Sequence, residues 1–370
     1  MKKKVLFLVN HDLVIYNFRL EIIERLLSEG FEVHISSPNG IRILELVSMG
    51  CKFHEIHINR HGMNPMEEMR LIQTYKKLFR KVKPLVILGF TIKPNIYGAI
   101  AAKKFNIPFI ANITGLGTAV EYKSWKQPIF IKLYQYAFKG INKVYFQNTA
   151  NRDFFLKNKI VKNNFSLIPG SGVNLERFYE KEYPNEKIIR FAFISRVMKE
   201  KGIDQYLDTA RYIKNKHSNT EFNIYGFCEQ SYEDELKQLE TDGIVKFHGM
   251  ITDIAGALER TNCLIHPSYY PEGLSNVLLE ASATGRPIIT TDRPGCREVI
   301  DDGVNGFLVN QQDSKDLISK VEKFILLSHS AKSQLGHNAR LKVEKEFDRQ
   351  IIVEQYMKDI TDVLKEKCYE

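Results

Sequence analysis

Two carboxylates and two cations in this chain stand where a phosphate-bearing ligand could use them. In HPSYYPEGLSNVLLE, from His266 to Glu280, the acids Glu272 and Glu280 are eight positions apart. Along a straight helix that is about 12 Å of rise, too far for a carboxylate dyad, so the two must do different jobs. Pro271 and Gly273 argue against a helical Glu272, whereas Ser275 reads as an N-cap and Glu280 falls inside the helix it starts. The amides of Gly273, Leu274 and Ser275 would then sit at a helix N-terminus, where N–H groups and the dipole attract phosphate. Standing alone, the segment is read equally well as a solvated Glu272 and an ordinary surface Glu280. The second constellation is Ser195-Arg196-Val197-Met198-Lys199-Glu200-Lys201-Gly202, between a strand and a helix, where open α/β sheets bind ligands. Arg196 and Lys201 could there neutralise a departing diphosphate, although an arginine and a lysine in a loop are more often plain surface charge. The chain has no Asp-x-Asp, the usual cue for a metal holding a nucleotide diphosphate.

The elements that must position these residues alternate short apolar runs with amphipathic helical patterns, the signature of βαβ units around a parallel sheet. Strands are expected at Val5–Val9, Phe31–Ile35, Leu85–Leu88 and Phe109–Ile113, with helices over Phe18–Ser28 and Met66–Val82. Thr114-Gly115-Leu116-Gly117 follows as a turn where backbone could approach a ligand closely. After Ser166-Leu167-Ile168-Pro169-Gly170-Ser171-Gly172, a linker pattern, a second series begins. It has strands at Ile188–Ile194, Phe222–Tyr225, Val245–Phe247, Cys263–His266 and Pro287–Thr290, and helices over Gly202–Lys214 and near Asn276–Thr284. The expected fold class is α/β, two Rossmann-like domains facing across a cleft, residues 1–170 and 171–346. Residues 347–367 add an amphipathic helix.

At 370 residues and 26% charged, the composition is that of an ordinary globular chain with room for two cores. Residues 1–170 hold 26 basic and 11 acidic residues, a net of +15, against −6 for the remainder. The basic half calls for an anionic partner. Five scattered cysteines without C-x-x-C indicate neither a disulfide framework nor a cysteine zinc site and fit a reducing cytoplasm. No run approaches the roughly 20 apolar residues of a membrane span. His54, His57 and His61 suggest a metal cluster at first sight, but in the strand-like FHEIHI an i, i+3 pair points to opposite faces, so no metal site is expected. His11, after the first strand, is the better functional candidate.

Together with GSGVNLERF from Gly170, the SRVMKEKG loop and PEGLSNVLLEASATGRPIITTDRPGCREVIDDGVNGFLV resemble family 4 of the retaining glycosyltransferases, most strongly from Ile188 to Val309. The resemblance implies the GT-B fold, with the nucleotide sugar held mostly by the C-terminal domain. It places Arg196 and Lys201 on the diphosphate, Glu280 on the ribose hydroxyls and Glu272 on the transferred sugar. The Gly273–Ser275 amides and Asn276 assist, while Gly226 and the His248-Gly249-Met250 loop lie by the base. HDLVIYNFRLEIIERLL and ITGLGTAVEYKSWKQ are similar to segments of enzymes that extend undecaprenyl-diphosphate-linked sugars for capsule, O-antigen or N-glycan assembly. On that likeness His11, Tyr16, Arg19, Thr114, Gly115 and Gly117 are expected on the acceptor side, and the last helix, 347–370, on the N-terminal domain. The first loop lacks the family's glycine pair, and Thr114 stands where many members have a histidine.

These readings combine into metal-independent, retaining transfer from a UDP-sugar to a lipid-diphosphate-linked saccharide, without a cofactor, by a protein peripheral on the cytoplasmic face of the membrane. The membrane surface would be met by Tyr122, Trp125, Phe130, Tyr134, Tyr136 and Phe138 interleaved with Lys123, Lys126, Lys132, Lys139 and Lys143. A second basic strip is Lys76, Lys77, Arg80, Lys81 and Lys83. A GT-B nucleotide-sugar epimerase is the alternative within enzymes. A nucleic-acid-binding protein is the alternative from the +15 half, but no recognisable binding module supports it. The absence of G-x-G-x-x-G after the first strand disfavours a dinucleotide oxidoreductase.

Overall fold

Continuous apolar runs form strands buried on both faces, as parallel sheets require. In the computed structural model, which describes residues 3–59, 62, 64–121 and 125–369, the first series gives β1 (Lys4–Leu8), β2 (Glu32–Ser37), β3 (Lys52–Glu55), β4 (Val86–Phe90), β5 (Phe109–Ile113), β6 (Lys143–Phe146) and β7 (Phe165–Leu167). They pair in parallel in the order β3-β2-β1-β4-β5-β6-β7. The second series gives β8 (Ile189–Ile194), β9 (Thr220–Tyr225), β10 (Lys246–Phe247), β11 (Cys263–His266), β12 (Ile288–Thr291) and β13 (Gly306–Val309). Its parallel order is β10-β9-β8-β11-β12-β13. The chain divides into Met1–Ser171 with Arg349–Glu370, and Gly172–Asp348.

Period-two alternation assigns each strand to two cores. Leu6 and Leu8 of β1 join Tyr75, Ile96 and Phe109 on one face, while Val5 and Phe7 join Ile22, Ile35 and Phe90 on the other. In the second unit Phe191 and Phe193 of β8 pack with Tyr206 and Phe222, and Ala192 and Ile194 with Leu278 and Leu279. The helix Arg349–Tyr369 packs into the first unit, burying Ile352, Tyr356, Ile360 and Val363 beside Val5 and Phe7. Arg349 at its start forms an ion pair with Glu21 at 2.8 Å.

The single helix expected over Phe18–Ser28 is instead the end of one and the whole of another, Asp12–Phe18 and Leu20–Ser28. Arg19 separates them at φ −139°, and its guanidinium is buried 5.1 Å from the Phe90 ring. The break turns that side chain inward. The linker pattern likewise overlaps structure, since Ser166 and Leu167 belong to β7.

Candidate functional site

The loop between β11 and the helix Asn276–Ala283 carries Glu272 outside any helix. Its carboxylate forms an ion pair with Lys201 Nζ and accepts a hydrogen bond from Ser268 Oγ at 3.2 Å. Lys201 closes a single 3-10 turn, Lys199–Lys201, before the helix Ile203–Lys216. Gly202, at φ 79°, makes the junction, because a Cβ there would stand 2.1 Å from the Pro267 carbonyl. The two loops that bear the pair are therefore in backbone contact. Lys201 and Glu272 side chains are only 10% and 14% exposed. Burial by itself would raise the Glu272 carboxyl, but the charge of Lys201, with the His266 ring 3.8 Å away, outweighs it and holds the acid well below the usual carboxylate range.

Ser275 occupies the N-cap position, yet its side chain gives the helix no cap; its hydroxyl lies 3.1 Å from His266 Nε2. The Ser275 amide donates to the Gly295 carbonyl at 2.8 Å, so the expected trio of phosphate-facing amides loses this member. His266 is buried, and burial holds its ring below the ordinary histidine pKa despite the nearby Glu272 carboxylate. Buried His266 Nδ1 and Asn276 Oδ1 have no hydrogen-bond partner among the described residues, an uncommon condition that marks polar groups at a ligand site. His266 was not singled out from sequence as a site residue; its place at the end of β11 in HPSYYPEG is the signal that could have found it. Gly273 and Leu274 are buried in the same loop, and Glu280 is half-buried on the helix.

Arg196 reaches the same loop by another route. It pairs with Glu229, and its guanidinium lies 5.2 Å from the Tyr270 ring, with Lys201 Nζ 5.1 Å from that ring. Both expected phosphate cations thus share one aromatic support. Gly226 ends β9 at φ 145° where a Cβ would fall 1.8 Å from the Ser195 carbonyl, and its amide donates to Gly249 O at 2.8 Å. That close approach joins the Arg196 loop to the loop bearing Met250, which is 74% exposed. A cavity of about 600 Å³ lined by Tyr225, His248, Met250 and Arg260 adjoins it, with the His248 and Tyr225 rings stacked at 4.4 Å.

In the other unit His11, Thr114, Gly115 and Gly117 follow β1 and β5 at the carboxyl edge of the sheet. Gly115 and Gly117 have φ of 134° and 68°. Tyr16 is half-buried beneath the Arg42 guanidinium at 4.7 Å. Arg19 is 1% exposed and within the electrostatic reach of Tyr356, Arg349 and Glu21, which makes it a packing residue rather than an acceptor-facing one. Thr91, after β4 on the same edge, escaped the sequence reading. Its φ is 69°, costly for a β-branched residue, and its buried hydroxyl has no partner among the described residues. No sequence signal announces that strain. Of the expected aromatic surface, Tyr134 and Phe138 are core residues, whereas Trp125 and Tyr136 are 74% and 64% exposed. Helical periodicity over Gln127–Phe138 makes the division. Tyr122 and Lys123 lie outside the described residues, as does His61.

Two parallel Rossmann-like sheets, the second with paired cations beside a carboxylate-bearing loop and an uncapped helix, define the class of GT-B transferases. Residues 176–342 match the family model for glycosyl transferases group 1, and residues 4–148 the model for glycosyl transferase 4-like proteins. The chain belongs to these glycosyltransferases. It is 26% identical to the Campylobacter jejuni N,N'-diacetylbacillosaminyl-diphospho-undecaprenol alpha-1,3-N-acetylgalactosaminyltransferase, over 97% of this chain and 98% of that one. The capsular polysaccharide biosynthesis glycosyltransferase CapM of Staphylococcus aureus is 25% identical over 93% of each. Among solved structures, Anabaena Alr3699/HepE in complex with UDP and glucose has a TM-score of 0.79 at 18% identity, covering 97% of this chain and 99% of that chain.

Proposed function

We propose that this glycosyltransferase moves a hexose or N-acetylhexosamine from a UDP-sugar to a hydroxyl of a lipid-diphosphate-linked saccharide, with retention at the anomeric carbon, in the assembly of a surface polysaccharide or glycan. The observation that carries the reading is the Lys201–Glu272 pair at the uncapped start of Asn276–Ala283, where cation, acid and helix terminus converge. Arg196 and Lys201 take the charge of the leaving diphosphate, Glu280 the ribose and Glu272 the transferred sugar. Gly226 and the Met250 loop border the base. The departing phosphate accepts the proton of the attacking hydroxyl, so the chain contributes positioning and electrostatic stabilisation. The lipid-linked acceptor is supported by the name of the Campylobacter relative and the nucleotide by the UDP in the Anabaena structure. No helix among the described residues is long and apolar enough to cross a membrane, and we place the protein peripherally on the cytoplasmic leaflet.

Thermal unfolding with UDP, GDP, ADP, NAD or a short oligonucleotide tests the donor half. A ligand at 100 times its Kd adds about 2.7 kcal/mol of stability. The expected result is stabilisation by UDP that weakens in Glu280→Ala. Stabilisation by the oligonucleotide alone would overturn the reading. Donor turnover to a changed free nucleotide sugar without any acceptor would favour an epimerase instead.

A further inference from the structure

We infer that a cavity in the first unit, between the residues after β3 and the starts of the helices Pro65–Val82 and Ile92–Lys103, holds a pyranose ring of the saccharide acceptor. The inference rests on the proposed sugar transfer, and it gives Lys93, Glu68 and Arg70 a role that none of the acceptor-side residues named above covers.

The cavity measures about 350 Å³, at the small end of small-molecule clefts and on the scale of a mono- or disaccharide. β3 ends at Glu55 and β4 at Phe90, and the lining takes in Ile56 and Lys93 just beyond them. It therefore stands at the carboxyl edge of the sheet, where parallel α/β folds bind ligands. Buried Ile56, Ile58 and Leu71 give it an apolar wall. Opposite charges share the rest, Glu67 and Glu68 against Arg70 and Lys93, with the His57 ring. A diphosphate would meet two carboxylates there. A sugar ring has C–H faces for the apolar wall and hydroxyls that both donate and accept for the polar one. The lining is that of a site for a neutral polyol.

Lys93 and Glu68 form an ion pair whose side chains are only 14% and 12% exposed. Burying such a pair is a poor way to gain stability, so the pair calls for another reason. Lys93 Nζ also donates to the Gly62 carbonyl at 2.8 Å, and with Glu68 taking a second hydrogen the third is left for a ligand. Backbone strain puts the lysine in place. The chain leaves β4 through Thr91 at φ 69° and enters the next helix at once, so Lys93 falls in its first turn beside the cavity. Strain at a β-branched residue persists where the surroundings enforce it, and such positions gather at ligand sites. Gly117 packs on the same helix start, since a Cβ there would come 3.0 Å from Ile92 Cδ1. The turn over residues 114–117 and Lys93 thus belong to one stretch of the edge.

Thr74 lines the cavity from an exposed position on its helix, and exposed Gln73 next to it does not. Thr74→Trp fills the cavity without touching the core, and Gln73→Trp controls for an added indole. The full chain, without donor, is given methyl glycosides of N-acetylglucosamine, N-acetylgalactosamine, glucose and galactose, and contact is read by NMR saturation passed from protein to sugar protons. The expected result is contact with at least one glycoside in wild type and Gln73→Trp, lost in Thr74→Trp and unmoved by inorganic pyrophosphate. Steady-state rates with donor and lipid-linked acceptor varied separately should show acceptor KM raised about tenfold in Thr74→Trp and about threefold in Arg70→Ala, with donor KM unchanged. Equal glycoside contact in wild type and Thr74→Trp, displacement of the glycoside by pyrophosphate, or a rise confined to donor KM would overturn the inference. So would the absence of contact with every glycoside together with an acceptor KM that Thr74→Trp leaves within about twofold. A wild type that UDP does not stabilise and that transfers no sugar, but whose glycoside contact disappears in Thr74→Trp, would sink the proposed function and leave the cavity as a saccharide site.

Discussion

In the proposed function the Lys201–Glu272 pair carries the chemistry of the second unit, and it is also a local risk to the fold. Both side chains are mostly buried, and truncating one partner of such a pair leaves an uncompensated charge, at a cost of about 3–5 kcal/mol. Loss of activity in Lys201→Ala would therefore be ambiguous, because unfolding and lost transition-state contact act together. Lys201→Met with Glu272→Gln separates them. The double variant removes both charges while keeping volume, so it should recover much of the stability lost by Lys201→Met alone in urea unfolding, a coupling visible in the double-mutant cycle. Turnover should stay down by more than about 100-fold, since the cation proposed for the leaving diphosphate is missing. Turnover within threefold of wild type in the double variant would place the pair outside the chemistry.

Among elements, the edge strand β3 and its neighbour β2 show what a one-dimensional reading can and cannot see. Their parallel register sets Ser36 against His54 and His34 against Lys52, and the rings of His34 and His54 stack at 5.1 Å with Nδ1 and Nε2 2.8 Å apart. Burial, then His34, Lys81 and Lys52, push His54 down to about 4; Glu32, bonded to Lys52 and His34, falls to about 2. Burial also lowers His34 despite Glu32, with Lys52 and Lys4 acting in the same direction as burial. Between about pH 6.5 and 4 the unfolded chain takes up the His54 proton while the folded chain refuses it, so stability falls as pH falls across that window. Below it the loss continues as Glu32 is protonated towards pH 2. Urea midpoints measured from pH 7 to 4 should drop less in His54→Gln than in wild type, by on the order of 2 kcal/mol at the acid end; parallel profiles would remove the pair as the cause. The sequence reading weighed His54 only against His57 and His61, its neighbours in the chain, and set the cluster aside; the partner of His54 is 20 residues away across a strand pair. By contrast β5 and β11 were legible residue for residue, because a strand buried on both faces is a continuous apolar run. Glu272, Lys201 and the helix after Ser275 were legible for a similar reason, as Pro, Gly and local spacing fix them. The side chain of Ser275 was not, since its choice of His266 over the helix end depends on a loop closing. Arg19 was not either, because what buries it includes Tyr356 from the far end of the chain.

At the scale of the molecule, part of the basic excess of residues 1–170, a net of +15, lies on one helical layer of the first unit. The helices Pro65–Val82 and Gln127–Phe138 both pack on Ile92–Lys103 and contribute to one core cluster, so their outer faces belong to the same side of the sheet. The first exposes Lys77, Arg80, Lys81 and Lys83 with Met66 and Met69; the second exposes Lys132, Ile129 and Tyr136, with Trp125 just before it. Cations beside protruding apolar groups suit an anionic bilayer surface better than a nucleic acid, which would not require methionine and isoleucine in contact with solvent. Each lysine or arginine close to such a surface contributes about 1 kcal/mol, screened within a Debye length. The full chain should therefore sediment with phosphatidylglycerol-containing vesicles at low salt, leave them at high salt, and ignore phosphatidylcholine vesicles. Lys77→Glu with Arg80→Glu should weaken binding more than tenfold while leaving UDP stabilisation untouched, since neither residue belongs to the unit in which the donor site is proposed. Trp125→Ala should weaken what persists at high salt, where burial of the indole replaces Coulomb attraction. Equal sedimentation with neutral and anionic vesicles would show that the basic layer is not what brings the protein to a bilayer.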